Sequence, residues 1–247
     1  MPDSIVVEDK EFGIKCENSA DCILQYSEKL LRDNNIKIGR MIKMCGSTVD
    51  SIFEIASAVD YKLIVLGSHG KKGIQKWLGS VSQEVSSVAK NSTYISKSKN
   101  DCKKVLFAVD SLELSPIMVS KCLKHLKLKD KDISLITVYE VPDYLFLDSN
   151  IDSKWILEVE KKQEREALMF LNKFERMFSE RGLKVTHKMA LSGIPAQEII
   201  SFANKENIDL VVSGIRDKNK LAKFLLGSVS KRVLENVKSD VLIVRLN

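Results

Sequence analysis

The chain has 247 residues, 44% of them apolar, which suits one large domain or two small ones with a real core. No apolar run approaches the ~18–20 residues needed to cross a bilayer. The start, Met1 to Lys10, lacks the basic and apolar regions of a secretory signal, so a cytoplasmic protein without a membrane partner is expected. The formal charge of +6 is spread: the lysine-rich stretches 127–131 and 218–223 lie among acidic residues without interleaved aromatics, which reads as solvated surface and not a nucleic-acid footprint.

In chain order, Ser4-Ile5-Val6-Val7, with its β-branched Ile-Val-Val, reads as a strand that could stand for the second strand of the first repeat, or else as an unrelated N-terminal tail. A helix is predicted over Ile23–Arg32, a strand over Lys37–Lys43, a turn at Gly46 and a helix over Val49–Ala58. Leu63-Ile64-Val65-Leu66-Gly67 is a strand ending in glycine. After a loop, Gly79-Ser80 opens a further helix, and Thr93–Ile95 is the last strand of this stretch.

A second series follows. Lys104–Val109 is a strand ending at Asp110, with Ser115 as N-cap and Pro116 as first residue of a helix to Leu126. Ile133–Val138 is a strand, and a loop with Pro142 leads to a long charged helix ending near Ser179. Leu168, Phe170, Leu171, Phe174 and Phe178 repeat at helical spacing and face the core, and Gly182 closes the helix. A strand over Lys184–Met189, a helix from the Gly193-Ile194-Pro195-Ala196 turn to Lys205 and a strand over Leu210–Ser213 come next. A helix from Gly227-Ser228 to Asn236 and a strand over Val241–Val244 complete the series. Strands alternating with helices give a parallel sheet with right-handed crossovers.

The chain repeats itself. Leu78-Gly79-Ser80-Val81-Ser82 recurs as Leu226-Gly227-Ser228-Val229-Ser230, 148 positions on, each time after a strand that ends in glycine (Gly67, Gly214). Glycine admits a phosphate close to the backbone, and Gly-Ser at a helix start offers N–H groups, a hydroxyl and the positive end of the helix dipole. Two related domains are therefore expected, 1–100 and 103–247, the first lacking the opening strand and helix.

These residues resemble the universal stress protein family, whose signature is G-x-x-G, nine residues, then G-S/T. Gly67-Ser68-His69-Gly70 with Gly79-Ser80 matches with one spacer residue fewer, and Gly214-Ile215-Arg216-Asp217 with Gly227-Ser228 matches in spacing. Asp110, the Gly193-x-Pro195-Ala196 turn and the closing strand also fit. The resemblance implies two tandem flavodoxin-like (adenine nucleotide alpha hydrolase-like) α/β domains with parallel five-stranded sheets, the first incomplete. It implies a stress-response regulator that binds ATP or another adenine nucleotide, with Mg²⁺ a possible companion, and not an enzyme.

Carried over, the nucleotide-binding positions are Ala108, Asp110, Val138, Ser213, Gly214, Asp217, Gly227, Ser228 and Val229, with Asp110 holding the adenosine end and the main chain of Val138 contacting adenine. A second phosphate site would use Leu66, Gly67, Gly70, Gly79, Ser80 and Val81. The resemblance also implies that last strands pair, here Thr93–Ile95 with Val241–Val244, making an intramolecular pseudo-dimer and leaving room for a homodimer or a regulatory protein partner.

Asp217 stands where the motif has its second glycine. A carboxylate ~4 Å from a phosphate costs about 1 kcal/mol in water and about 4 at intermediate dielectric. Either Arg216, Lys218, Lys220 or Mg²⁺ offsets it, or triphosphate binding is lost and the protein is a nucleotide-free interaction module; the sequence leaves both open. His69 reads as a loop residue, and Trp77 and Phe224 as packing residues. Five cysteines without a C-x-x-C pair, and three scattered histidines, give no metal site and no disulfide framework. Ser80 and Ser228 have no assignable base, so no nucleophile and no catalytic residue is expected.

Overall fold

A computed structural model describes residues 10–59, 61–68, 78–97, 101–110, 113–141, 153–215 and 226–246. Ser4–Val7, His69, Gly70, Trp77, Pro142, Arg216, Asp217, Lys218–Lys223 and Phe224 lie outside the described residues. The chain forms two compact units, Met1–Ser51 and Ile52–Asn247.

In the first unit, α1 (Lys10–Asp33) is longer than the Ile23–Arg32 expected from periodicity. It closes in a Schellman turn. Asn35 takes φ +56°, its N–H bonds the Arg32 carbonyl, and the Ile36 N–H reaches back to Leu31. Glu28 and Arg32, one turn apart, pair at 2.7 Å, and Lys43 pairs with Asp21 at 2.9 Å. The strand expected over Lys37–Lys43 does not form. The segment is without regular structure and joins no ladder among the described residues. Apolar spacing fits a strand, but a strand exists only where a neighbour supplies its hydrogen bonds. α2 (Thr48–Ala58) starts one residue before its expected span and ends where expected.

The second unit is built on one seven-stranded sheet. Its elements are β1 (Leu63–Gly67), α3 (Ser80–Val88), β2 (Ser92–Ser96), β3 (Lys104–Ala108), α4 (Ser115–His125), β4 (Asp132–Tyr139), α5 (Ser153–Ser179), β5 (Val185–Ser192), α6 (Pro195–Lys205), β6 (Leu210–Ile215), α7 (Ser228–Asn236) and β7 (Asp240–Arg245). The spatial order is β1-β2-β7-β6-β3-β4-β5. The last five form the expected parallel sheet, and β1 and β2 pair in parallel. The two parallel sets meet through an antiparallel join: Thr93, Tyr94 and Ile95 lie opposite Ile243, Leu242 and Val241. The last strands of the two repeats thus fuse two sheets into one.

Both faces of the central strands are covered, which is why they read as continuous apolar runs. Val105 and Phe107 point to one side, where Met118, Val119 and Cys122 of α4 and Leu171, Phe174 and Phe178 of α5 pack. Leu106 points to the other, with Ile199 and Ala203 of α6 and Val233 and Leu234 of α7. The Phe107 and Phe178 rings meet edge-to-face at 5.0 Å. Gly182 takes φ +68° and ends the Schellman turn that stops α5, its N–H on the Ser179 carbonyl and that of Leu183 on Phe178.

Candidate functional site

In chain order, β3, β4 and β5 are laid down in one direction across the sheet, and β6 and β7 on the other side of β3. The strand order therefore reverses between β3 and β6, and in open α/β sheets ligands bind beyond the carboxyl ends of the strands at such a point. Phe107 pairs with Val212, so the chain just beyond places Ala108–Asp110 beside Ser213–Gly214. Val138 lies two residues past Ile136, the partner of Ala108, towards the same edge of the sheet. Gly227 caps α7 in extended conformation (φ −60°, ψ 153°), and Ser228 and Val229 begin the helix. Its first N–H groups have no intrahelical acceptor, so the positive end of the helix lies on this edge.

The structure brings together Ala108, Asp110, Ser213 and Gly214 at the strand ends. Asp217 and Gly70 lie outside the described residues. The side chain of Ser213 is buried, and its hydroxyl lies 3.0 Å from that of Ser230. Val229 packs on the core while Ser228 is exposed. A Cβ on Gly214 would stand 3.3 Å from both Leu246 Cδ1 and Met118 Sδ. The strand end is thus closely packed from behind. On the neighbouring corner the Gly193 N–H donates to the Tyr139 carbonyl. Burial raises the Tyr139 phenol, with Glu164 and Glu160 adding to the shift.

The first repeat has the same construction with one difference. In both repeats the last serine of the motif ties the helix to the strand: Ser82 Oγ donates to the Gly67 carbonyl at 2.7 Å, and Ser230 Oγ to that of Gly214 at 3.2 Å. At the first site, however, the Gly79 N–H donates to the Ser68 carbonyl at 2.9 Å, and a Cβ on Gly79 would lie 3.1 Å from that same oxygen. Around Gly227 no described atom lies within 4 Å of the corresponding point. Among the described residues the first cradle is closed at its cap, and nothing closes the second. Leu66, Gly67, Ser80 and Val81 occupy the places around the closed cap that Ser213, Gly214, Ser228 and Val229 occupy around the open one.

Three contacts were not foreseen. Ser82 and Ser230 act as strand-to-helix ties; the signal was their identity in both copies. Ser115 is not the N-cap of α4; Leu114 holds that position, and the Ser115 hydroxyl is turned onto Asp110. No group of three or more potential metal ligands exists among the described residues, and none of their helices is long and apolar enough to span a membrane.

Fold and site together define a tandem doubly wound α/β protein with a Gly-Ser helix start beside the switch point. Residues 16–97 and 102–245 match the model of the universal stress protein family, and the chain belongs to that family. It is 33% identical over 151 residues to a universal stress protein of Methanocaldococcus jannaschii, spanning 61% of this chain and 86% of that relative. A second universal stress protein of that organism is 27% identical over 159 residues, spanning 58% and 94%. Among solved structures, a universal stress protein from Archaeoglobus fulgidus superposes with TM-score 0.65 at 20% identity, covering 99% of this chain and 82% of its own. A putative universal stress protein from Pseudomonas aeruginosa gives 0.68 at 18% identity, covering 91% and 78%. These two share the fold.

Proposed function

We propose that this universal stress protein binds an adenine nucleotide (ATP, ADP or AMP) in its second repeat, as a cytoplasmic regulatory module without efficient catalysis. The observation that carries the reading is the switch point. It sets the Ala108–Asp110 end of β3 beside the Ser213–Gly214 end of β6, with the helix start Gly227-Ser228 following in the chain. Asp110 holds the adenosine end and the main chain of Ala108 and Val138 lines it, as in the family pattern. Gly214, Gly227, Ser228 and Val229 take the phosphates. The closed cap at Gly79 favours the second repeat over the first. Titration calorimetry with ATP, ADP and AMP tests the reading; no heat from any of them at millimolar ligand overturns it.

In the family motif Asp217 replaces the second glycine, the position next to the phosphates. On this reading the site holds a nucleotide mainly through its adenosine end, unless Mg²⁺ or a neighbouring lysine offsets the carboxylate. Asp217→Gly then raises ATP affinity more than AMP affinity, since repulsion grows with phosphate charge. The same carboxylate favours a second reading, a nucleotide-free module that acts on a protein partner or through a homodimer. A wild-type chain that binds no nucleotide and pairs with itself in sedimentation, but gains ATP binding with Asp217→Gly, supports that second reading; no gain counts against Asp217 as what blocks the site.

A further inference from the structure

We propose that Ser115 is a positioning residue: it fixes Asp110 so that its carboxylate meets the ribose hydroxyls of a bound adenine nucleotide. The inference rests on the nucleotide reading above. The last ladder bond of β3 is the Val109 N–H to the Ile136 carbonyl, and Asp110 is the first residue beyond it. Asp110 is exposed, and an exposed aspartate is free to sample its rotamers. Here one oxygen restrains it twice. Ser115 Oγ accepts the Asp110 N–H at 3.1 Å and donates to Asp110 Oδ1 at 3.3 Å. The second contact is long for an O–H···O bond, so the main-chain bond is the stronger restraint.

Ser115 is itself packed in place. It is 3% exposed and opens α4, whose Met118 and Val119 are buried in the core, with Pro116 setting the first turn. The carboxylate has no further partner among the described residues. An ionised carboxylate only accepts hydrogen bonds, so it needs donors from the ligand. At the adenosine end these are the two vicinal ribose hydroxyls and the exocyclic amine. Holding the side chain in place before binding lowers the ordering cost of the complex. A hydroxyl in place of a Cβ hydrogen is thus worth about 3- to 10-fold in affinity, the range of one ordinary net hydrogen bond.

The experiment is titration calorimetry on the full chain with AMP and 2′,3′-dideoxy-AMP, using wild type, Ser115→Ala and Ser115→Thr. The expected result is about 3- to 10-fold weaker AMP binding for Ser115→Ala, unchanged dideoxy-AMP binding, and AMP affinity kept by Ser115→Thr, which retains the hydroxyl. A Ser115→Ala variant that weakens both ligands alike, or neither, overturns the positioning role while the nucleotide reading stands. Wild-type protein that binds neither ligand overturns both. Should Ser115→Ala fail to fold by circular dichroism, Ser115→Cys replaces it. Loss confined to AMP then supports the role, and equal or no loss overturns it.

Discussion

Lys97 and Arg245 stand at equivalent places in the two repeats, and each reaches across to the other's helix. Lys97 Nζ donates to the carbonyls of Leu234 and Val237, the C-terminal end of α7. Arg245 Nη2 donates to the carbonyls of Ser86 and Ser87, the C-terminal end of α3. Their backbones are exchanged too: the Lys97 N–H bonds Asp240 Oδ1 at 2.7 Å, and the Arg245 N–H bonds Ser92 Oγ at 3.1 Å. All four residues obey the 148-residue offset of the motif, so the β2–β7 join is a pseudo-two-fold, self-complementary interface inside one chain. A cation at a helix C-terminus meets the orphan carbonyls and the negative end of the dipole.

Removing either cation therefore loosens the join. Arg245→Met costs about 2–3 kcal/mol, because the guanidinium is buried and leaves two carbonyls without their charged donor. Lys97→Met costs less, about 1–2 kcal/mol, since Lys97 is half-buried. Urea unfolding of the two variants checks the order; equal stability to wild type contradicts it.

The same join makes stability depend on alkaline pH. Desolvation lowers Lys97 to about 8 from its ordinary 10.5, with Asp240 and Glu235 opposing the shift. Between those values the folded chain has lost the proton while the unfolded chain keeps it, so stability rises with pH from about 8. Tyr94 acts in the opposite sense. Its hydroxyl donates to Asp240 Oδ2 at 2.6 Å, and burial followed by that bond raises its pKa. Its contribution is present below the phenol's ordinary 10.0 and lost as pH climbs above it. The urea midpoint should therefore climb from pH 7 to 9.5, and Lys97→Met should flatten the climb.

The two caps respond differently to one methyl group. Gly79→Ala destabilises the fold by about 1 kcal/mol, since the new Cβ meets a backbone oxygen already held by the Gly79 N–H. Gly227→Ala meets no described atom and loses only the cap's preference for glycine over alanine, about 0.5–1 kcal/mol, which Gly79→Ala loses in addition to its contact. If the open cap is the phosphate site, Gly227→Val lowers nucleotide affinity without a matching loss of thermal stability. Parallel melts and titrations of the three variants separate these effects.

Ser82→Ala and Ser230→Ala each remove a strand-to-helix tie and leave a carbonyl short of a donor, for about 1 kcal/mol apiece. Ser230→Ala costs more, because Ser213, buried beside it, also loses its partner. Thermal unfolding of the two single variants gives the comparison.

Most elements were legible because their causes are local. The apolar runs of β3, β4, β6 and β7, the helical spacing of Leu171, Phe174 and Phe178, and Gly182 after α5 all act within a few residues. The duplicated Leu-Gly-Ser-Val-Ser, with Asp110, carried the family. The expected strand at Lys37–Lys43 failed for the opposite reason: its spacing is strand-like, but no ladder among the described residues holds it. The placement of Ser115 as a cap failed because its hydroxyl had a better use five residues back, on Asp110.

By itself the sequence determined the alternation of strands and helices, the duplication and the site's residue types. Only the tertiary structure decided that the Gly79 cap is closed by the Ser68 carbonyl, that Ser82 and Ser230 tie their helices to the strand ends, and that Lys97 and Arg245 exchange partners between the repeats. The ties and the exchange depend on groups 15 to 159 residues apart, brought together by register and burial. Propensity, periodicity and turn chemistry act over a few residues and carry no information about such pairings.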